Sequence, residues 1–599
     1  MRSLLVLGFL AIVVFFGFQY FQKPKPLAPA TQPQVQQQVQ QQGQQQAAAS
    51  APPTANANSA SEARPKQSAS STPAVTAASE TETTVENAYY RIVFTNRGAQ
   101  VKHWILKRYF DSAGKPLDMV QQQAASRFGF PLSIFTYESA LTSQLNQALY
   151  QSSPSGNLTA PASLTFHYAA NGLDVVKTFR FDSKYVISAD VQVHRNGQPV
   201  RALVAWPAGL GDMEEFQGRG GGVPGLRQTP ASFAWSLNGK QDTQAAAKVS
   251  NDATLEGGYE YVATTDLYFA AAILPDVPAR ASIITLHNSI GLPSDPSNPA
   301  SEKKPADVIG VAVGDTSGDT SVRIYAGPKQ TDILSSIHST GADGKFDGPS
   351  LESIIQFGWF TIIAKPLFLV LRFLYQHGIP NWGWAIIITT TLFNILMLPT
   401  RVMMMKSSLK MMRIQPKVEA LKKKYAHLKT ADPKRAEMNS EMMALYKTEG
   451  VNMYGGCLPM LIQMPLFFAY FRVLQNTVEL RQAHWFWLHD LAAPDPLHIL
   501  PILIIVTMFL TQFITPSPGM DPNQRRMMAI MMPLIFGYTL WRYASGLALY
   551  WGTGNLINLA IQISINRSHI GKEMHAIAAK RAAKKKLGVG NPRTIQGKR

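Results

Sequence analysis

Residues 382–399 read Trp382-Gly-Trp-Ala-Ile-Ile-Ile-Thr-Thr-Thr-Leu-Phe-Asn-Ile-Leu-Met-Leu-Pro399, an apolar run of the length, roughly 17–25 residues, that crosses a bilayer. Four more such runs follow, at 456–476, 497–514, 527–541 and 546–565. Between the first two, residues 400–450 hold twelve Lys and Arg against five acids. Positively charged loops stay cytoplasmic, so this segment is expected inside. Each span reverses the side, and the other loops agree. Residues 477–496 carry Glu479, Asp490 and Asp495 against Arg481 and are expected outside; Arg525 and Arg526 lie in the next loop, and the basic tail from Arg567 is opposed by Glu573 alone. The expected fold class is a multi-domain membrane protein: an N-terminal anchor helix, a periplasmic all-β sandwich or super-sandwich, and a C-terminal five-helix transmembrane core with a cytoplasmic helical hairpin.

In a soluble chain of 599 residues a net charge of +18 would point to nucleic acid. Here much of the excess lies in loops beside spans, where it sets topology; contact with anionic lipid or ribosomal RNA is a second use for it. The single cysteine, Cys457, allows no intrachain disulfide, so the outer domain depends on burial alone.

From the N-terminus, residues 1–23 form an apolar segment after Met1-Arg2, and Gln19-Tyr-Phe-Gln-Lys23 offers no small-residue cleavage site, so an uncleaved anchor is expected over a signal peptide. With it both termini are cytoplasmic. Residues 24–86 are Gln, Ala, Pro and Ser-rich and are read as a disordered linker. Residues 87–345 alternate at period two in segments such as Val175-Val-Lys-Thr-Phe-Arg-Phe181, the mark of a β domain. Its Gly220, Gly222 and Gly225 match a dinucleotide spacing but lack the strand and helix that a phosphate cradle needs, so a glycine loop is expected. Residues 350–378 mix apolar residues with Glu352, Lys365 and Arg372 and are read as an amphipathic helix at the outer interface. The core is 379–566, its hairpin 400–450, and the basic tail 567–599. In the hairpin, Asp432-Pro433 starts a second helix, and its many methionines either pack the two helices together or offer a soft surface to partners.

Polar groups inside spans are costly and mark function or interhelical bonding. Thr390 and Asn394 share a face of the first core span, Gln463 precedes Phe467 and Tyr470 on the second, and Trp551, Asn555, Asn558 and Gln562 form a stripe on the last. Arg472 and Arg542 lie in apolar runs near outer ends, where they either snorkel to the interface or face a water-filled cavity.

Gln415-Pro-Lys417, Glu441-Met-Met-Ala-Leu-Tyr-Lys447, Gly455-Gly-Cys-Leu-Pro459, Leu461-Ile-Gln-Met-Pro465 and Ser545-Gly-Leu547, together with the architecture, resemble the YidC membrane protein insertases over essentially the whole chain. The resemblance implies an insertase and chaperone, not an enzyme, with no cofactor and no nucleotide, acting alone or with the Sec translocon in the bacterial inner membrane. It implies a hydrophilic groove, expected from Thr390, Asn394, Gln463, Arg472, Arg542, Tyr550 and Asn555. Partners implied are nascent membrane proteins, the Sec translocon, membrane lipids and the ribosome, with Lys422, Lys423, Lys424, Asp521, Lys584, Lys585 and Lys586 expected to meet the ribosome or another partner. One departure stands out: where the family has a groove arginine, this chain has Asn394, and Arg542, with Arg472, is expected to supply the charge. The rival reading, a transporter, would show repeated halves with paired helix breaks, and the sequence has no such repeat; a sugar-binding module with a membrane anchor lacks a cluster of acids and aromatics.

Overall fold

The alternating segments pair as antiparallel strands in a computed structural model that describes residues 74–111, 113–213, 231–294, 298, 300–341, 343–425, 434–451, 458–515 and 522–586. The N-terminal anchor, the linker up to residue 73, the glycine triad, the Asp432-Pro433 turn and Asp521 lie outside these residues, as do the side chains of Lys584, Lys585 and Lys586. The described chain divides into a β unit ending at Ile354 and a helical unit starting at Ile355.

Among the described residues of the β unit three sheets are found. A ten-stranded sheet is centred on the hairpin Leu173–Phe181 and Val186–Arg195 beside Thr320–Pro328 and Phe269–Pro275. A five-stranded sheet runs from Pro116–Asp118 to Asn157–Thr159, and a second one contains the long pair Ala281–Pro293 and Lys303–Asp315. Side chains that alternate inward fill the space between them: Trp104 of one sheet meets Trp206 of another at 5.6 Å between ring centroids. Phe269–Pro275 is buried along its whole length, as its unbroken apolar run requires of a central strand. Among the described residues three short helices, Gln122–Phe128, Ser139–Gln147 and Thr331–Leu334, punctuate this otherwise β unit, the second packed on the edge strand Ser133–Thr136.

The folded unit begins before residue 87, the boundary expected from composition. Val75 bridges to Ala169, and Glu82–Glu86 is a strand between Tyr90–Thr95 and Asn157–Thr159. Thr83 and Val85, both buried, are enough to hold it, because two inward β-branched residues at period two complete a pleated face.

In the helical unit the elements are α1 (Thr361–Gln376), α2 (Trp382–Leu396), α3 (Leu398–Lys424), α4 (Lys434–Thr448), α5 (Leu458–Asn476), α6 (Ile499–Ile514), α7 (Pro522–Leu540), α8 (Ser545–Arg567) and α9 (His569–Lys586). The first apolar run stops short of Pro399: α2 and α3 meet at a 47° bend. Proline lacks the N–H that would continue the ladder and favours a helix start. Among the described residues no single helix is long and apolar enough to cross a membrane; α2 and α3 pass that test only as a bent pair. Yet the outer surface is apolar. Ile362, Phe373, Leu396, Phe513, Leu534 and Tyr538 are between 54% and 88% exposed, an arrangement that water disfavours and lipid accepts.

Candidate functional site

Helix α8 positions the interior of the helical unit, touching α2, α5, α6 and α9. Small residues permit this closeness. A Cβ on Gly546 would stand 3.0 Å from the Leu491 carbonyl oxygen, and Gly546 N–H donates to that oxygen at 2.8 Å. The 477–498 loop thus seats the start of α8, and its acids are structural. Asp490 accepts from the N–H of Gln482 and of Ala492, and Asp495, 2% exposed, accepts from Leu500 N–H at 2.8 Å and from Trp487 Nε1 at 3.1 Å. A carboxylate at the start of α6 is favoured by the free N–H groups there. At the opposite end Asn566 Nδ2 donates to Ile514 O at 3.0 Å, joining α8 to α6.

Between these ends the polar side chains of α2, α5 and α8 face inward. Thr390 packs toward Gly554 of α8, and the Tyr470 and Tyr550 rings stack obliquely at 4.4 Å. Thr389, Thr390, Tyr470 and Tyr550 line a cavity of about 10 Å³ with Leu367, Phe393 and Leu466, close to the space one water needs. If these groups served to join helices they would bond across helices, and the α2 groups do not cross to α5 or α8. Thr390 Oγ1 donates to Ile386 O at 2.7 Å, Thr391 Oγ1 to Ile387 O at 2.8 Å and Asn394 Nδ2 to Thr390 O at 2.8 Å, all within α2. The Tyr470 hydroxyl faces Thr389 and Thr390, but no hydrogen bond of proper geometry closes. Among the described residues, Thr389 Oγ1, Tyr470 OH, both amide atoms of Gln475, Asn555 Nδ2 and Asn558 Oδ1 are buried without a protein partner. Each such atom costs about 1–3 kcal/mol, which sets them apart from ordinary core polar groups.

Of the residues expected in a groove, Thr390, Asn394, Tyr550 and Asn555 therefore lie on this inward wall, and Gln463 is half-buried on α5 one turn before Phe467. Arg472 is half-buried near the end of α5. Arg542 departs from the expectation: it is exposed, in the turn after α7 and before α8. That turn follows the last helical residue Leu540, so the side chain is not carried on any helix face. What sequence reasoning counts only as one basic loop residue is Arg401. Its guanidinium reaches back across the bend, and Nη2 donates to Asn394 Oδ1 at 3.4 Å. Side chains on a helix lean toward its N-terminus, so a long residue in the first turn of α3 can meet the last turn of α2.

The hairpin separates its methionines by role. Met411 and Met442 pack α3 against α4 with Ile414, Val418 and Leu445, whereas Met405, Leu409 and Met412 receive Met574 of α9, itself 0% exposed. Glu573 accepts from Arg413 Nε at 2.8 Å and Nη2 at 2.6 Å beside that contact. Met403 and Met443 remain exposed. Lys424 is held by Glu441 at 2.9 Å across the hairpin, and Lys422 and Lys423 are exposed.

Residues 82–370 match the YidC periplasmic domain and residues 373–573 match the 60Kd inner membrane protein family. Membrane protein insertase YidC of Cupriavidus taiwanensis is 35% identical over 427 residues, 68% of each chain. That of Geobacter sulfurreducens is 32% identical over 504 residues, 80% of this chain and 85% of its own. The chain belongs to the YidC family. A crystal structure of an active YidC insertase with its first transmembrane domain resolved aligns over 82% of this chain and 94% of its own, at 16% identity and a TM-score of 0.33, too distant to inform the placement of any element. Within the YidC family this chain is a membrane protein with a large β-rich periplasmic domain and a C-terminal helical region.

Proposed function

We propose that the chain is an insertase and chaperone of the inner membrane, multi-pass with both termini and the α3–α4 hairpin cytoplasmic, that works without nucleotide hydrolysis or covalent chemistry, alone or with the Sec translocon. The observation that carries this reading is the set of buried, unpartnered polar atoms on α2, α5 and α8 inside a unit whose outer surface is apolar. In lipid, an unpaired peptide group of a passing segment costs several kcal/mol. Thr389, Tyr470, Asn555 and Asn558 have free hydrogen-bonding capacity to offer such a segment. The substrate's own apolar span then leaves along the exposed flank into lipid, stabilised at roughly 25 cal/mol per Å² of apolar surface removed from water.

Helix lengths favour the same reading. Helix α6 has 16 residues, about 24 Å at about 1.5 Å per residue, shorter than a hydrocarbon core of about 30 Å. A bilayer that thins around it gives the polar segment a shorter path. Helix α1 buries Ala364, Phe368 and Leu371 against the bundle and leaves Ile362, Leu369 and Phe373 exposed, as suits a helix lying in the outer interface. The exposed Lys422 and Lys423 of the hairpin and the basic α9 are suited to ribosomal phosphates and anionic lipid.

The test is the purified full chain in liposomes, with a single-span substrate made by cell-free translation in the absence of nucleotide regeneration after synthesis and of Sec. Protease protection of the translocated segment well above empty liposomes is expected; protection equal to empty liposomes for several substrates would refute the autonomous mode.

A further inference from the structure

Helix α9 is fixed on two sides. Ser568, the residue that links it to α8, serves both helices: its N–H donates to Ser564 O at 3.1 Å, and its Oγ accepts from Gly571 N–H at 3.5 Å, the bond of a helix cap. A Cβ on Gly571 would stand 2.3 Å from Ile565 O and 2.4 Å from Asn566 Cα, so glycine lets α9 turn directly against the end of α8. On its other side Ile570, Met574 and Ile577, spaced by four and three, share one face and close the apolar cluster of Met405, Leu409 and Met412 on α3.

The charges divide in the same way. Residues 567–599 hold ten Lys and Arg and one acid, Glu573, and that acid is turned to Arg413 of α3. Lys572, His575, Ala576, Ala579 and Lys580 are exposed on the remaining surface of α9. The outward face is thus basic and carries no carboxylate of its own helix. It is presented by a helix that cannot swing without breaking its contacts with α8 and α3.

We infer that the outward face of α9 docks on anionic headgroups of the bilayer beside α8, and that α9, acting as a bracket, passes this anchorage to the base of the α3–α4 hairpin through Met574 and Glu573. The inference rests on the reading of α8 as a membrane span with α9 on the cytoplasmic side, and adds to it a lipid class and a mechanical role. Lys and Arg clustered immediately after a span feel the surface potential of anionic lipid, which decays over a Debye length of about 8–10 Å. Lys572 follows Arg567, the last residue of α8, by little more than one helical turn. Ribosomal RNA offers the same phosphates but must approach from solution, whereas headgroups already surround the end of a span.

The test places the full chain, with Cys457→Ser removing its single cysteine, in vesicles of phosphatidylcholine alone or of phosphatidylcholine and phosphatidylglycerol in equal parts. A fluorophore on Ala576→Cys of α9 or on Met443→Cys of α4, both exposed positions, is read by energy transfer to labelled headgroups. Transfer from both sites should rise in the anionic vesicles. A lysine near an anionic surface shifts docking roughly fivefold, so Lys572→Gln with Lys580→Gln should lower the docked-to-undocked ratio roughly 25-fold and erase the rise at both sites. Met574→Asp should leave the rise at the α9 site and erase it at the α4 site, a split that general unfolding would not produce. Transfer from α9 that ignores lipid charge would overturn the proposal. So would a rise produced only by added ribosomal RNA, or an α4 response that survives Met574→Asp. If alkaline carbonate strips the wild-type chain from both kinds of vesicle, the membrane reading fails instead.

Discussion

Replacing Lys177 should destabilise the β unit and change how its stability depends on pH. Alternation along Leu173–Phe181 points this lysine inward, and it is 0% exposed. Its Nζ meets three backbone carbonyls, Gly98 O at 3.0 Å, Ala99 O at 2.6 Å and Leu132 O at 2.6 Å. Lys177→Met keeps the length of the side chain and strands those acceptors. At about 1 kcal/mol or more for each buried group left unmatched, the cost is about 3 kcal/mol, partly offset below about pH 7, where the buried nitrogen is charged, by the relief of burying that charge. For a unit of this size that corresponds to a fall in Tm of about 6–10 °C. Burial pulls the lysine down from 10.5 to about 7. Between those values the unfolded chain holds a proton that the folded chain has released, so the lysine's contribution to stability rises with pH and is lost as pH falls through about 7. Below that both states are protonated and the contribution is flat. Calorimetry of the full chain in detergent from pH 6.5 to 9.5 reads both effects, with the difference between wild type and variant isolating this group. A variant as stable as wild type, or a difference that does not grow with pH, would refute the reasoning.

Three further outcomes follow from the helical unit. Asn555→Leu with Asn558→Leu removes buried amide atoms that have no partner among the described residues; the pair should stabilise the fold on the order of 1–3 kcal/mol per relieved atom, seen as a raised Tm, while lowering liposome insertion, and a stabilised variant of full activity would argue against the polar wall. Met574→Asp should free α9 from α3, seen as faster protease cleavage of the tail, because a charge cannot replace a side chain buried among Met405, Leu409 and Met412. Glu573→Arg should loosen the same contact by about 1 kcal/mol or less, the worth of a partly exposed pair, and Arg413→Glu in the same chain should restore it.

Apolar runs and period-two segments are sufficient to place the helices of the helical unit and most strands of the β unit, since these are local patterns. The features that read poorly are those created by distant contacts. Thr83 and Val85 carry too short a pattern to separate Glu82–Glu86 from the polar linker before it. Lys177 sits in a strand whose alternation is plain, yet the three carbonyls that make its burial tolerable come from Gly98, Ala99 and Leu132, far away in sequence. Met574 looks like one apolar residue in a basic tail until α9 folds back on α3. The Asn394 departure was visible as a missing charge, and Arg542 was an expected source because it interrupts an apolar run. The structure leaves Arg542 exposed in a turn and brings Arg401 to Asn394, seven residues on, across a bend that Pro399 signals but whose consequence depends on the direction of a long side chain.

The most direct measurement is site-specific photocrosslinking during insertion, with a photoreactive residue at Thr389, Tyr470 or Asn555 on the inward wall and at Phe513 or Leu534 on the exposed apolar surface. If polar segments travel along the wall, the inward positions crosslink to the translocated segment of an arrested substrate, while Phe513 and Leu534 crosslink to lipid. Crosslinks from the outer positions alone, with the inward ones silent, would contradict the account.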